Sequence, residues 1–395
     1  MRTLIAVALL AGGAAGPGLA AGHGTQAVDA GAGQIVAGPG LAAGRGLIVY
    51  VADTRQNGNV VTTISAATRK PGKLINVHKT TYSVAIAPGG KTGYITDISA
   101  GEVTPFATAT GRLGQPIRVG AQPAAIVFTP DGKTAYVMGS GSSLGAEGTV
   151  TPIDTATNTP GKRIKAGNSP NDIVITPNGK MVYVADFGSD TVTPISTAAN
   201  KAGKPIIVGS EPSMMAMAPD GKTVYVANSS AFTGHQAGTV TPINTAANKA
   251  GKPIPVGKDP LGITITPNGK TVYVANSLSN TVTPISTATN KPGKPISTAV
   301  YPWRFAVAPN GKTVYVADNG LGTGHVTPIA TATNTPGKPI KTGRSAYVIA
   351  ITPDGQTVYV ADADGGMVTP IDTATNKPGA AIDVSGFPTG ITFGP

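Results

Sequence analysis

The residues best suited to chemistry in this sequence are a small set of large aromatic and basic side chains. The set comprises His78, Tyr82, Tyr301, Trp303, Arg304, Arg344, Tyr347 and Phe387. Trp303 is the only tryptophan in the chain, so internal repetition of the sequence does not account for it. Aromatic rings beside arginine are enriched at binding hot spots and fit a protein, a glycan or an anionic ligand. We therefore predict that these residues form a ligand-binding site.

Catalytic and metal-binding signatures are few. The chain has no cysteine, which excludes disulfides, zinc–thiolate and iron–sulfur centres and a cysteine nucleophile. Its four histidines include no pair at metal-ligand spacing. No Walker loop, nucleophile elbow or dinucleotide fingerprint is present. We predict no catalytic residue, no metal site and no cofactor, and we expect a binding protein rather than an enzyme.

A repeated unit of about 44 residues must position these side chains. The tyrosine of a Tyr-Val or Tyr-Ile segment marks each unit, at Tyr50, Tyr94, Tyr136, Tyr183, Tyr225, Tyr273, Tyr315 and Tyr359. The unit that begins at Pro260 predicts four short strands, at Gly262–Thr266, Thr271–Ala275, Thr281–Ser286 and from about Lys294. Eight such units are typical of a closed repeat architecture.

The turns and the second strand of the unit define its environment. Thr-Pro-Asn-Gly-Lys predicts a tight turn with positive φ at glycine, and Lys-Pro-Gly-Lys at 291–294 predicts a type II turn. The second strand, 272–275, is apolar on both faces and must be covered on both sides. Four-stranded antiparallel sheets packed around an axis meet that need, so we predict an all-β β-propeller. A linear β-solenoid is the alternative.

The two ends of the repeat region predict how the ring closes. The first unit, 47–79, lacks an innermost strand, and the segment from Phe387 to Phe393 at the other end supplies a matching one. Pairing of the two ends gives one composite blade and eight blades in all, with seven as the alternative. A single propeller domain is therefore expected over residues 47–395.

The first 46 residues have a different composition. A basic start is followed by an uncharged apolar run and by Gly18-Leu19-Ala20, which predicts a signal peptide at 1–20. Residues 21–46 are mostly glycine and alanine and are expected to form a flexible leader. No other stretch approaches transmembrane length. We expect a secreted or cell-wall-associated monomer.

Two polar features of the repeat have structural interpretations. An aspartate or asparagine follows the second strand in seven units, at Asp53, Asp97, Asp186, Asn228, Asn276, Asp318 and Asp362. Such residues usually bond nearby backbone. Proline lies inside the third strand of seven units, where its missing N–H predicts a break in the sheet ladder.

Charge is predicted to differ between the two faces of the disc. The face of the tight turns receives 20 of the 30 basic residues and five of the 19 acidic ones. Such a face could attract an anionic wall polymer or nucleic acid. The basic turns lack interleaved aromatic residues, so no nucleic-acid motif supports that partner.

Units such as Ile-Thr-Pro-Asn-Gly-Lys-Thr-Val-Tyr-Val-Ala-Asn at 265–276 resemble the YVTN-type β-propeller repeat of bacterial and archaeal secreted and surface-layer proteins. The resemblance covers about residues 47–395. It implies a propeller fold and a role as surface scaffold, binding module or, in some relatives, enzyme. A lactonase- or lyase-like site that recruits His78, Arg304 and Arg344 is one alternative function, and polyanion binding by the basic face is another.

The predicted ring order also locates the candidate site. The aromatic and basic residues fall in four consecutive blade junctions, so we expect them along one side of the channel mouth. The opposite side, with Gln122, Asp172, Glu211, Met215 and Asp259, is expected to be more acidic and to lack large rings.

Overall fold

The structure, a computed structural model, describes residues 46–54, 59–77, 80–230, 237–320, 322–384 and 386–395. These residues form eight separate antiparallel sheets, numbered here as blades 1 to 8 along the chain. The all-β, eight-bladed propeller predicted from the repeats is confirmed, and the seven-bladed and solenoid alternatives are wrong. The predicted signal peptide and all of the predicted leader except Gly46 lie outside the described residues. The described part of the chain contains no helix of a length and apolarity that would cross a membrane.

Each blade has four strands counted outward from the axis. The innermost strands of blades 1 to 8 are Phe387–Gly394, Thr81–Ile86, Pro123–Phe128, Pro170–Ile175, Pro212–Met217, Pro260–Ile265, Pro302–Val307 and Ala346–Ile351. The second strands are Ile48–Thr54, Thr92–Asp97, Thr134–Gly139, Met181–Asp186, Thr223–Asn228, Thr271–Asn276, Thr313–Gly320 and Thr357–Asp362. The third strands are Val60–Ser65, Glu102–Ala107, Glu147–Asp154, Thr191–Ser196, Ala237–Asn244, Thr281–Ser286, Thr323–Ala330 and Met367–Asp372.

The outermost strand is short and usually interrupted. It is Pro71–Asn76 in blade 1 and Ile117–Arg118 in blade 2. In blades 3 to 8 it has two segments, which are Thr159–Pro160 and Ile164–Asn168, Lys201–Ala202 and Ile206–Ile207, Lys249–Ala250 and Ile254–Lys258, Lys291–Pro292 and Ile296–Ser297, Thr335–Pro336 and Ile340–Gly343, and Lys377–Pro378 and Ile382–Asp383.

The two ends of the propeller close the ring in blade 1. Strand Phe387–Gly394 pairs antiparallel with Ile48–Thr54, from Ile48 opposite Gly394 to Thr54 opposite Phe387. The predicted composite blade is thus confirmed. Because blade 1 takes its innermost strand from one end of the chain and the other three from the opposite end, closure depends on this one pairing.

Second strands form the core of the disc. Val272, Tyr273, Val274 and Ala275 are all fully buried, as expected for a strand that packs against a neighbouring blade on each face. Burial of each large apolar side chain contributes about 1.5–3 kcal/mol relative to exposure. Repetition of this strand in every blade explains how the domain is stabilised without disulfides.

The proline of the third strand explains the interrupted outermost strand. The Pro194 carbonyl accepts a hydrogen bond from Gly203 N at 2.7 Å, and the same bond recurs in the other blades that carry this proline. In a strand the N–H and C=O of one residue point to the same side, so the missing proline N–H faces the outermost strand. Blade 1 has Thr63 at this position, and its outermost strand is a single segment, Pro71–Asn76, although the register of the pairing shifts at Thr63. The predicted ladder break is confirmed.

One predicted turn is wrong and the other is confirmed. Lys291–Pro292 belong to a strand, and the turn before them ends at Asn290 with φ of 51°. Asparagine tolerates this left-handed conformation, so the chain reverses at 287–290, four residues earlier than the Pro-Gly pair suggested. The glycine of the other turn, Gly269, has the expected positive φ of 68°.

These turn asparagines also join adjacent blades. The hydroxyl of the repeat tyrosine donates to an asparagine Oδ1 of the next blade, over 2.6 to 3.3 Å, in the pairs Tyr94–Asn158, Tyr136–Asn200, Tyr183–Asn248, Tyr225–Asn290, Tyr273–Asn334 and Tyr315–Asn376. Burial raises the pKa of the Tyr183 hydroxyl to about 12, so it remains a donor. We call these pairs the Tyr–Asn bridges.

Removal of one bridge should weaken the ring measurably. Tyr183→Phe leaves Asn248 Oδ1, 2.7 Å from the hydroxyl, without this donor, so we expect the free energy of unfolding to fall by about 1 kcal/mol. Tyr359→Phe is the matched control, because that hydroxyl lies 3.5 Å from its acceptor, Ala66 O. Equal losses in chemical denaturation of the two variants would show that the bridge adds nothing beyond packing.

Candidate ligand-binding site at the channel mouth

The blade-to-blade connections provide a rigid base for the site. Each of five connections ends in a residue with φ between 47° and 61° followed by a proline that begins the innermost strand; these residues are Gln122, Ser169, Glu211, Asp259 and Tyr301. Tyr301 N donates to Asn280 Oδ1 at 2.8 Å, and Tyr301 O accepts from Asn319 N at 2.8 Å. The left-handed conformation costs a non-glycine residue about 1–2 kcal/mol, which the surrounding bonds offset.

Four of the predicted residues form a continuous series of rings, which we call the aromatic arc. The ring centroids of Tyr301 and Trp303 are 6.0 Å apart, and those of Trp303 and Tyr347 are 6.4 Å apart, with nearly parallel planes in both pairs. Tyr347 then meets Phe387 edge-on at 5.8 Å. The arc therefore extends over blades 7, 8 and 1.

A β-bulge presents the two central rings. The register of the innermost strand shifts between Pro302 and Arg304 in blade 7, and between Ala346 and Val348 in blade 8. The residues at these shifts are Trp303 and Tyr347. Bulges re-aim side chains and are common beside functional sites. The same irregularity recurs in every blade and also carries an aromatic residue in blade 2, at Tyr82.

The arc combines exposed surface with an unused hydrogen-bond donor. Phe387 is 41% exposed, and the other three rings are partly buried. Trp303 Nε1 is buried and has no hydrogen-bond partner among the residues that the structure describes. A buried donor without a partner is unfavourable by about 1–3 kcal/mol, and an acceptor on a ligand would satisfy it.

The other four predicted residues are placed differently. Arg304 is 5% exposed, and its charge acts on the buried Asp172. Tyr82 is 8% exposed and belongs to the apolar cluster shared by blades 2, 3 and 4. Arg344 is exposed, with its backbone N–H donating to Asp362 Oδ2 at 2.7 Å. His78 lies outside the described residues.

Acidic residues adjoin the arc at Tyr301. Asp259 is 3% exposed and Glu211 is 8% exposed, on the connections before blades 6 and 5. Burial and the charge of Glu211 raise the pKa of Asp259 to about 7. Burial and the charge of Asp259 raise the pKa of the Tyr301 hydroxyl. The prediction that Asp259 lies on the side opposite the rings is therefore wrong. Asp259 and Tyr301 share the position before the proline of the innermost strand in adjacent blades, which was the sequence signal for this proximity.

The Asp and Asn residues after the second strands have structural roles. Asp186 accepts hydrogen bonds from Gly167 N at 2.9 Å and from Thr193 Oγ1 at 2.6 Å. Asn276 bonds the equivalent Gly257 N at 3.0 Å and Thr283 Oγ1 at 2.8 Å. Burial raises the pKa of Asp186 to about 6. The described ranges contain no group of three or more His, Asp or Glu side chains that could hold a metal ion.

The opposite face carries the lysines of the tight turns. Thr197 N donates to Lys180 O at 3.1 Å, and Thr287 N donates to Lys270 O at 3.0 Å, which places the two kinds of turn side by side. The first-to-second turns of six blades each expose one lysine, namely Lys91, Lys133, Lys180, Lys222, Lys270 and Lys312. Polyanion binding by this face stays a prediction.

The fold and the arc define an eight-bladed propeller with an aromatic surface at one mouth of its axis. The family described as "Lactonase, 7-bladed beta-propeller" matches residues 46–203, which end within blade 4. No curated protein matches the chain. The part matched to the family excludes all four rings of the arc.

Solved structures of three proteins illustrate the likeness of fold. Hydrazine synthase of Kuenenia stuttgartiensis is 24% identical with a TM-score of 0.60, over 74% of this chain and 96% of that one. Dihydro-heme d1 dehydrogenase NirN in complex with DHE is 14% identical with a TM-score of 0.69, over 87% and 74%. Apo AztD from Citrobacter koseri is 15% identical with a TM-score of 0.61, over 88% and 97%. At these identities the likeness concerns the propeller fold alone.

Proposed function

We propose that this protein is a secreted β-propeller that binds a ligand or partner at the aromatic arc without chemically transforming it. The observation that carries the proposal is the unbroken series of ring contacts from Tyr301 to Phe387. Blade duplication alone would repeat these rings, but the positions equivalent to Trp303 in blades 3 to 6 hold Ala124, Asn171, Ser213 and Leu261. Blade 2 has Tyr82 at this position, but that side chain is 8% exposed and packs in an apolar cluster, so the arc is confined to blades 7, 8 and 1.

The energetics of the arc favour binding. Large rings lose little conformational entropy when a partner covers them, and they dominate the energies of interface hot spots. Phe387 is 41% exposed, so apolar surface remains to be covered. The unpartnered Trp303 Nε1 adds a directional donor. A ligand that stacks on the rings and offers an acceptor would use both features.

Trp303 makes the proposal directly testable, because it is the only tryptophan in the chain. Titration with glycans, anionic wall polymers and organic cations should change its fluorescence for at least one class. For that ligand, Tyr347→Ala is expected to weaken binding about 30-fold, equivalent to about 2 kcal/mol.

Ile207→Ala is the control for this titration, since Ile207 is 78% exposed on the outermost strand of blade 4. It should bind the ligand like the unmodified protein. The proposal would be contradicted by a ligand whose affinity is unchanged in Tyr347→Ala. It would also be contradicted if no class of ligand in the screen alters the fluorescence of Trp303.

A lactonase-like hydrolase is the second candidate, favoured by the family match over 46–203. Hydrolysis of a lactone needs a group that accepts a proton from water, and a buried carboxylate with a pKa of about 7, as at Asp259, suits that role. Turnover of a lactone panel that disappears in Asp259→Asn would establish this function. Binding at the arc without turnover of any lactone would support the non-enzymatic binding function.

A further inference from the structure

Lysines are concentrated on one half of the tight-turn face, in blades 4 to 7. We call these exposed residues the lysine sector, and they are Lys180, Lys201, Lys204, Lys222, Lys249, Lys252, Lys270, Lys291, Lys294, Lys312 and Lys338. Asp220 is the only acidic residue in the turns that carry these eleven lysines. The corresponding turns of the other four blades hold nine basic and four acidic residues. The lysine sector therefore has twice the net charge of the rest of this face.

Hydrogen bonds within each blade fix the lysines in relation to one another. Thr197 N donates to Lys180 O at 3.1 Å and so joins the first-to-second turn of blade 4 to the turn after its third strand. Gly203 N donates to Pro194 O at 2.7 Å immediately before Lys204. Both bonds recur in blades 5, 6 and 7. The backbone thus places the lysines of each blade in a repeated arrangement that runs from the axis to the rim.

Contacts between blades join these arrangements into continuous rows. A Cβ at Gly221 would lie 3.1 Å from Pro177, and one at Gly269 would lie 3.4 Å from Pro219, so the first-to-second turns of consecutive blades touch. Each of these glycines directly precedes a lysine of the sector. The Tyr–Asn bridges likewise hold the asparagines that precede the lysines of the outer turns in blades 4, 5 and 6. The lysine sector is therefore a curved surface on a fixed backbone.

Most lysines of the sector have no opposing charge. The first-to-second turn has a side-chain acceptor directly before its glycine, and in blade 5 this is Asp220 Oδ1, which accepts from Lys222 N at 2.9 Å. Asparagine fills the same role in blades 4, 6 and 7, at Asn178, Asn268 and Asn310. Within the described residues, the sector has one ion pair, between Lys222 Nζ and Asp220 Oδ2 at 4.0 Å. The neutral acceptors preserve the turn and leave its lysine charge unpaired.

The composition of the sector indicates the chemistry of its partner. All eleven basic residues are lysines, which are compact, strongly hydrated point charges without the planar donor fork of arginine. Their turns contain no aromatic residue, so nucleic-acid bases would have no ring on which to stack. None of the exposed large apolar side chains of the described residues lies in these turns, so nothing there would insert into a lipid layer. Attraction by charge remains.

The curvature of the rows favours a flexible partner. Duplex DNA is stiff over about 150 base pairs, so it would meet few lysines of a curved row. A flexible chain follows the curve and releases counterions at each lysine that it meets. We propose that the lysine sector binds a flexible linear polyanion, with phosphate or carboxylate groups repeated along its chain. This surface lies on the face opposite the aromatic arc, so the inference goes beyond the proposed function and does not depend on it.

Inorganic polyphosphate and polygalacturonate are the probes, because they carry phosphate and carboxylate groups without bases or lipid chains. Binding is measured on the whole protein by fluorescence anisotropy of the end-labelled polymer at several salt concentrations. A flexible polyanion that neutralises about six lysines should give a slope of about −4 for the logarithm of affinity against the logarithm of salt concentration.

The triple variant Asn178→Asp, Asn268→Asp and Asn310→Asp tests the sector without altering its turns. Blade 5 has aspartate in the same hydrogen bond, so the melting temperature should be unchanged. Each new carboxylate stands two residues before a lysine of the sector, as Asp220 does. The affinity for polyphosphate should therefore fall about tenfold near 0.1 M salt, and the slope should lessen by about 2.

The control combines Lys70→Gln, Lys162→Gln and Lys377→Gln, which change the net charge by the same amount in blades 1, 3 and 8. Its affinity should fall less than about threefold, since these lysines lie outside the sector. Equal losses in the two variants would show that net charge alone attracts the polymer and would overturn the inference. Absence of binding to both polymers, or tighter binding of duplex DNA or of phosphatidylglycerol vesicles, would also overturn it.

A second variant covers the case in which the aspartates impair folding. Lys180→Gln, Lys270→Gln and Lys312→Gln together remove three exposed charges and leave every backbone hydrogen bond of the turns in place. The same loss of affinity and the same change of slope are expected. An unchanged slope in this variant would exclude the inner row of the sector as the site.

Discussion

Removal of Phe387–Pro395 is expected to destroy the cooperative fold. These residues supply the innermost strand of blade 1, which pairs with Ile48–Thr54 along its whole length. Ile391 and Phe393 are each 2% exposed and pack in a cluster with Val49 and Tyr359. Their loss would remove about 3–6 kcal/mol of apolar burial and would also expose an unpaired strand edge. That is a large part of the stability of a typical domain.

Circular dichroism melts and size-exclusion chromatography of the truncated protein test this expectation. We expect a lost or strongly lowered transition and aggregation. Deletion of Pro395 alone is the control, because it removes only the acceptor of the 3.1 Å bond from Tyr50. A synthetic peptide of residues 387–395 should restore the transition. A truncated monomer with an unchanged melting temperature would disprove closure by strand pairing.

Addition of a single methyl group at Gly262 should have the second largest effect on the stability of the fold. A Cβ placed at Gly262 would overlap the carbonyl oxygen of Trp303, in the innermost strand of the next blade. Neither backbone can move without disturbing its own sheet, so we expect Gly262→Ala to lower the free energy of unfolding by about 3 kcal/mol. The displaced strand carries Trp303, so its fluorescence maximum should also shift.

Gly46→Ala is the matched control for this substitution, because a Cβ at Gly46 would contact nothing within 4 Å. Chemical denaturation and emission spectra of the two variants should therefore differ clearly. If Gly262→Ala has the stability and spectrum of the control, the inner strands of blades 6 and 7 do not approach each other as described.

Periodicity in the sequence was sufficient to predict the fold. The recurring tyrosine determines the number of blades, and the doubly apolar second strand indicates that each blade packs on both faces. The first unit, which lacks an innermost strand, indicates how the ring closes. These three features depend only on local sequence pattern and on burial. The Pro-Gly pair misled the turn prediction at 291–294, since Asn290 adopts the left-handed conformation first. Local chemistry alone did not reveal which residue would do so.

The candidate site could be predicted only in part. The rarity of Trp303 and its position in a connection indicated the arc. The burial of Arg304 and Tyr82 was not predictable, because a residue in a connection can turn toward the axis or into the packing between blades. The proline after Asp259 and after Tyr301 marks the two positions as equivalent, but the left-handed backbone that brings them close is not evident from the sequence.

The aromatic arc crosses the seam at which the chain ends meet. Phe387 begins the closing strand, and its ring contacts Tyr347 of blade 8 at 5.8 Å. The Tyr–Asn bridges are replaced at the same junctions, where Tyr359 and Tyr50 reach backbone oxygens at 3.5 and 3.1 Å. A pulling force on the C-terminus would therefore unzip the ring here first. A ligand seated across Tyr347 and Phe387 would resist that unzipping, so the load at which the propeller opens would depend on whether the site is occupied.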